Sequence, residues 1–186
     1  MRGISAWGRA AALVLGLGLA FALAFPDGAP PGHTGGFGEP NCGACHFGGD
    51  SPADETGLRL KNLGDTYKPG RIYEFVLHLA DPGKVGGFQM SVRFNDAPYH
   101  GQSAGRLESD GDRLRVVEGD KVQYLGHREV GRRDHASDDI RWRIRWTAPE
   151  KSGGGVIVHI AAVAGDDDES PIGDTVYALT RQLQPD

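Results

Sequence analysis

The run Ile140-Arg141-Trp142-Arg143-Ile144-Arg145-Trp146 permits one kind of local structure. Its large apolar side chains fall on every second residue, and three arginines fill the gaps. An extended strand sends successive side chains to opposite faces, so this pattern makes one face apolar and the other charged. Residues 73–79 repeat the period, with Tyr73, Phe75, Leu77 and Leu79 on one face. In residues 88–94 the inward set is Phe88, Met90, Val92 and Phe94. Residues 114–117, 122–125 and 175–179 read as shorter strands. Residues 156–163 are apolar on both faces, which is the mark of a central strand.

These strands are separated by clusters of Gly, Pro, Asp and Asn, and no segment beyond the extreme N-terminus carries a helical stripe. The pattern predicts an all-β sandwich over residues 56–183. The stretch 25–55 is rich in Gly and Pro and poor in aliphatic residues, so it reads as an irregular, extended segment. Ahead of it, Arg2 and Arg9 precede an apolar run over 10–21, and Ala22-Leu23-Ala24 fits a small-x-small cleavage site. Residues 1–24 therefore read as a secretory signal peptide. The run is short for a membrane span, which needs about 20 apolar residues. Membrane attachment is expected only if this segment stays uncleaved. Loss of Arg2 and Arg9 with it takes the net charge from −5 to −7. So acidic an exported chain, periplasmic or extracellular, lacks the basic face that nucleic acid requires.

The irregular segment contains Cys42-Gly43-Ala44-Cys45-His46, which uses the only two cysteines of 186 residues. C-x-x-C-H is the mark of covalent c-type haem attachment. Cys42 and Cys45 are expected to form thioethers with the two vinyl groups of one haem c, and His46 to be the proximal ligand of its iron. A thioredoxin-like redox pair needs a strand before the motif and a helix after it, and neither pattern is present. A closed zinc site needs four ligands, of which the motif supplies two cysteines. A structural disulfide over so short a loop constrains little of the unfolded chain.

Several further segments share an order and spacing with a known family. They are Gly87-Phe88-Gln89, Ala104-Gly105-Arg106-Leu107, Gln123-Tyr124-Leu125-Gly126-His127, Trp146-Thr147-Ala148-Pro149, Gly154-Gly155-Val156, Ala162-Val163-Ala164-Gly165 and Gly173-Asp174-Thr175-Val176-Tyr177. Together with C-x-x-C-H they resemble the bacterial exported choice-of-anchor V proteins, whose core looks like the Reeler domain. The resemblance runs from about Gly32 to Leu179. It implies an immunoglobulin-like, Reeler-like sandwich joined to a single haem-binding motif.

A low-spin electron carrier needs a second axial ligand, commonly His or Met. The first candidate for this distal position is His127, because the resembling proteins also place a histidine a few residues after a tyrosine, here Tyr124. Met90, the only methionine beyond Met1, is the weaker alternative, since its place on an apolar strand face reads as core packing. His159 reads as a satisfied core histidine and His78 as a solvated one. His100 and His135 read as loop residues, and His33 could fold back toward the motif. Arg141, Arg143 and Arg145 read as a solvated strand face, with haem propionates or an acidic redox partner as the alternative contact. Asp166-Asp167-Asp168-Glu169 with Asp174 reads as an acidic turn rather than a calcium site.

The expected function is that of an exported monohaem c-type, cytochrome-like protein. It would pass single electrons to an unidentified redox partner protein and would be a carrier rather than a catalyst. The alternative is a cell-surface or periplasmic binding or sensor module, in which the haem is structural or takes a gas.

Overall fold

The computed structural model describes residues 25, 28–49, 57–80, 83–109, 111–129, 131–132 and 139–186. The expected signal peptide and His135 lie outside these residues. After a three-residue 3-10 turn at Cys42–Ala44, the described chain forms twelve strands. The early ones are β1 (Phe47–Gly48), β2 (Leu58–Lys61), β3 (Thr66–Tyr67), β4 (Ile72–Ala80) and β5 (Val85–Phe94). Then come β6 (Arg106–Ser109), β7 (Leu114–Glu118), β8 (Gln123–His127) and β9 (Gly131–Arg132). The last are β10 (Asp139–Thr147), β11 (Val156–Gly165) and β12 (Ile172–Pro185).

Two sheets result. The larger has eight strands in the order β1-β12-β11-β5-β8-β7, with β3 beside β12 and β9 beside β5. The smaller has four strands in the order β2-β4-β10-β6. The period-two runs supply the layer between them. β10 turns Ile140, Trp142, Ile144 and Trp146 inward, each at most 2% exposed, while its arginines face out. Phe75, Leu77 and Leu79 of β4 share that layer with Phe88, Met90, Val92 and Phe94 of β5. Burying an aliphatic or aromatic side chain of this size stabilises by about 1.5–3 kcal/mol. Trp146 also donates its indole N–H to the Ala104 carbonyl at 2.8 Å, so its polar atom is satisfied inside the core.

β11 lies between β5 and β12 and is paired along its whole length on both sides. This is the central position that its doubly apolar pattern predicts. The all-β sandwich expected from sequence is thus the fold observed.

Candidate functional site

Strand β5 is almost entirely buried on both faces. Its inward set meets the core. Its outward set is Gly87, Gln89, Ser91 and Arg93, which is too polar for a second core. The segment ahead of β2 covers it. Gln89 donates its amide to the carbonyls of Pro30 at 2.8 Å and Ala29 at 3.3 Å, and accepts the backbone N–H of His33 at 2.7 Å. Arg115 holds the Gly28 carbonyl at 2.7 Å. These are groups that a Gly/Pro-rich chain must satisfy once it leaves water.

A buried clasp fixes the segment just before the cysteines. Arg93, 3% exposed, donates to the Glu39 carboxylate and, at 3.1 Å, to the Tyr124 hydroxyl. Tyr124 donates to Glu39 at 2.6 Å, and Thr34 donates to the other Glu39 oxygen at 2.7 Å. Burial alone would raise the Glu39 carboxyl, but the hydrogen bonds from Tyr124, Arg93 and Thr34 outweigh it and hold the group below its ordinary range. Burial and the Glu39 carboxylate push Tyr124 up to about 12. The Arg93 guanidinium also lies over the rings of Phe37 and Tyr124, at 5.2 and 5.3 Å.

The motif follows directly. Asn41 caps the Cys42–Ala44 turn by accepting the Gly43 N–H at 2.8 Å, as an N-cap residue does. The Cys42 carbonyl accepts from Cys45 and His46, and the turn packs on β11 and β12. β1 then pairs in parallel with the start of β12, placing Phe47 opposite Ile172. Both thiols are unbonded and half-buried. Burial of its sulfur pushes the Cys42 thiol up to about 12, so it stays protonated.

His46 donates its Nδ1–H to Asp174 Oδ2 at 2.5 Å. Asp174 is 7% exposed and lies on one face of β12 with Ile172, Val176 and Ala178. A carboxylate in such a row is costly unless it is paired, and the imidazole N–H supplies the pair. The approach is close, because a Cβ at Gly49 would meet the Asp174 carbonyl oxygen at 2.2 Å. With Nδ1 committed, Nε2 is the nitrogen left to His46 for a ligand.

His127 reaches the same outward face from β8. A Cβ at Gly87 would lie 2.5–2.9 Å from its ring, so glycine is needed beneath it. Its Nδ1 sits 3.0 Å from the Phe88 N–H and 3.1 Å from the Phe88 carbonyl. Nδ1 accepts from the Phe88 N–H in one tautomer and donates to the Phe88 carbonyl in the other. Burial holds His127 below the usual histidine range against a backbone hydrogen bond to Phe88, and the charges of Arg115 and His46 push the same way as burial. A further backbone hydrogen bond joins His127 to Phe25. Gly87 pairs with Val163, which pairs with Val176. His127 on β8 and Asp174 on β12 are therefore three strand spacings apart, roughly 14 Å, across a small apolar floor. Phe25, Phe47 and Ile172 stand exposed at 45%, 52% and 63%.

The other candidates lie elsewhere or behave differently. Met90 is 0% exposed on the inward face of β5, so the sheet itself separates it from the motif. His33 bonds locally instead, with Nδ1 3.1 Å from the Pro30 carbonyl. His100 is in a loop as expected, its Nδ1 2.6 Å from the Asn95 carbonyl. His78 is not solvated. It is 7% exposed, flanked in register by Arg59 and Arg141, with Nδ1 3.2 Å from Asp139. His159 is not a satisfied core residue. It sits half-buried on the outward face against Phe37, with rings 5.3 Å apart, and its Nδ1 finds no hydrogen-bond partner among the described residues. Strand β11 has two apolar faces because the N-terminal segment covers one of them.

Arg141, Arg143 and Arg145 face outward from the four-stranded sheet, on the other side of the sandwich from Cys42. Asp174 leaves the acidic turn of residues 166–169 for His46. Among the described residues, no three His, Cys, Asp or Glu side chains gather to hold a metal ion. Sequence reasoning missed Asp174 and the Glu39–Arg93–Tyr124 clasp. The available signal was a carboxylate in the apolar period of β12 and an arginine in a strand otherwise fit for burial.

Comparison with known proteins fixes the fold. No family model matches the chain, and no curated protein matches it. Solved structures do. The reeler domain of human F-spondin (fragment 1) is similar with a TM-score of 0.52 at 23% identity, covering 74% of this chain and 93% of that one. The Reelin-N domain of F-spondin gives 0.54 at 21% identity, covering 78% and 95%. A second fragment of the human reeler domain gives 0.50 at 24% identity, covering 72% and 93%. The sandwich is Reeler-like.

Proposed function

We propose that the chain is an exported monohaem c-type protein that carries single electrons. The observation that supports this best is the docking of the C-x-x-C-H turn on an apolar, half-open sheet face that it shares with a second, neutral histidine. Haem bound there would supply a one-electron ferric/ferrous couple. Each of Cys42 and Cys45 would add sulfur to one carbon of a vinyl group and hydrogen to the other, releasing nothing. His46 would offer Nε2 as proximal ligand and His127 as distal ligand. Exposed Phe47 and Ile172 would pack against the macrocycle and limit water. Joining such a motif to a Reeler-like sandwich is what the resemblance to choice-of-anchor V proteins implies. Export is supported by the leader-like residues 1–24, and no helix among the described residues is long and apolar enough to cross a membrane.

One observation favours the alternative of a gas-binding sensor. His127 donates a ring N–H to the Phe25 backbone carbonyl, a bond that would have to break before the ring could take the distal position, so that position would stay open.

Expression with a cytochrome c maturation system tests both. The carrier reading expects a red protein that keeps its haem in acidified acetone and shows a six-coordinate, low-spin spectrum. His127→Ala should turn that spectrum high-spin, and an unchanged spectrum removes His127 from the site. Rapid carbon monoxide binding by the wild type would establish the sensor instead. A colourless product would end the haem reading.

A further inference from the structure

We infer that Asp174 is a positioning residue that sets a low reduction potential at this site by acting through His46. The inference rests on the haem reading above and goes beyond it, because C-x-x-C-H names a proximal histidine but nothing behind it. The carboxylate is 2.5 Å from His46 Nδ1, its side chain is 8% exposed and that of His46 is 26% exposed. No Lys or Arg is paired with Asp174 among the described residues, so its negative charge falls on the imidazole alone. A carboxylate that accepts the Nδ1–H fixes the ring and raises the basicity of Nε2. A more basic ligand and a nearby negative charge both favour the ferric over the ferrous state. Burial keeps salt from screening the effect. The couple stays a single electron taken up or released, with no protein bond made or broken.

The surroundings show that this geometry is built. β1 pairs with β12 at Phe47, and a Cβ at Gly165 would lie 2.7 Å from the Asp174 carboxylate. The backbone at Gly165 thus leaves room for the carboxylate that a side chain there would take away.

The test is spectroelectrochemistry of the holoprotein beside Asp174→Asn and Asp174→Glu, compared at equal covalent haem content. Asp174→Asn keeps the shape and removes the charge. It should lose about tenfold of the preference for the ferric state, on the order of the loss in metal affinity when such a partner is removed. That is a positive shift of about 59 mV for one electron. Asp174→Glu should restore part of the shift. Equal potentials in wild type and Asp174→Asn would overturn the inference while leaving the haem reading intact. A wild type with no covalent tetrapyrrole by mass spectrometry would overturn both. Nitrogen-15 NMR of the haem-free wild type gives a readout independent of folding variants. His46 should carry its proton on Nδ1, and an Nε2–H tautomer overturns the inference.

Discussion

The two outward faces of the sandwich differ in one respect that governs the rest. On the four-stranded sheet, β10 alternates between buried apolar residues and exposed arginines. On the eight-stranded sheet, β5 alternates equally well in sequence but is buried on both sides. The polar positions of β10 meet water, whereas those of β5 meet a second piece of the same chain. Arg143 and Arg93 occupy like places on their strands and have opposite surroundings. Period two therefore reports which face of a strand is the core, but not whether the other face is free.

The comparison can be broken most sharply at Arg93. Arg93→Ala strands the Glu39 carboxylate under the segment, and removing one partner of a buried ion pair costs about 3–5 kcal/mol. Urea unfolding should read that loss. A loss below 1 kcal/mol would mean that the segment is held by something else. Acid should distinguish the faces less strongly. Burial keeps His127 below its ordinary value, so below about pH 6.5 the unfolded chain binds more protons than the folded one. Stability then falls as pH drops. His127→Gln should flatten that acid limb more than His78→Gln, because the Asp139 carboxylate opposes the effect of burial on His78. Equal flattening would remove the distinction. The smallest effect belongs to Arg143→Ala, expected within about 0.5 kcal/mol as for an isolated surface change.

Legibility followed sequence separation. β4, β5 and β10 were readable because burial writes a local period over nine or ten residues, and β11 because both of its faces are apolar. β2, β3, β6 and β9 were not, since two to four residues cannot display a period. β12 reads as residues 175–179 but extends over Ile172–Pro185. Its second half has exposed Thr180, Gln182 and Gln184, so only Leu183 marks the buried side there. The cysteine motif was legible because the chemistry is local. His46 and Asp174 are 128 residues apart, and Arg93 and Glu39 are 54 apart. No local pattern announces either pair; only the strand order brings them together.

The clasp at Glu39 and the parallel pairing at Phe47 bracket the short stretch that contains Cys42, Cys45 and His46. The loop is anchored at both ends by bonds that form when the sandwich folds, so its disorder is surrendered once, during folding. A guest seated there would find a mount already set, and could gain or lose charge without the mount having to rearrange.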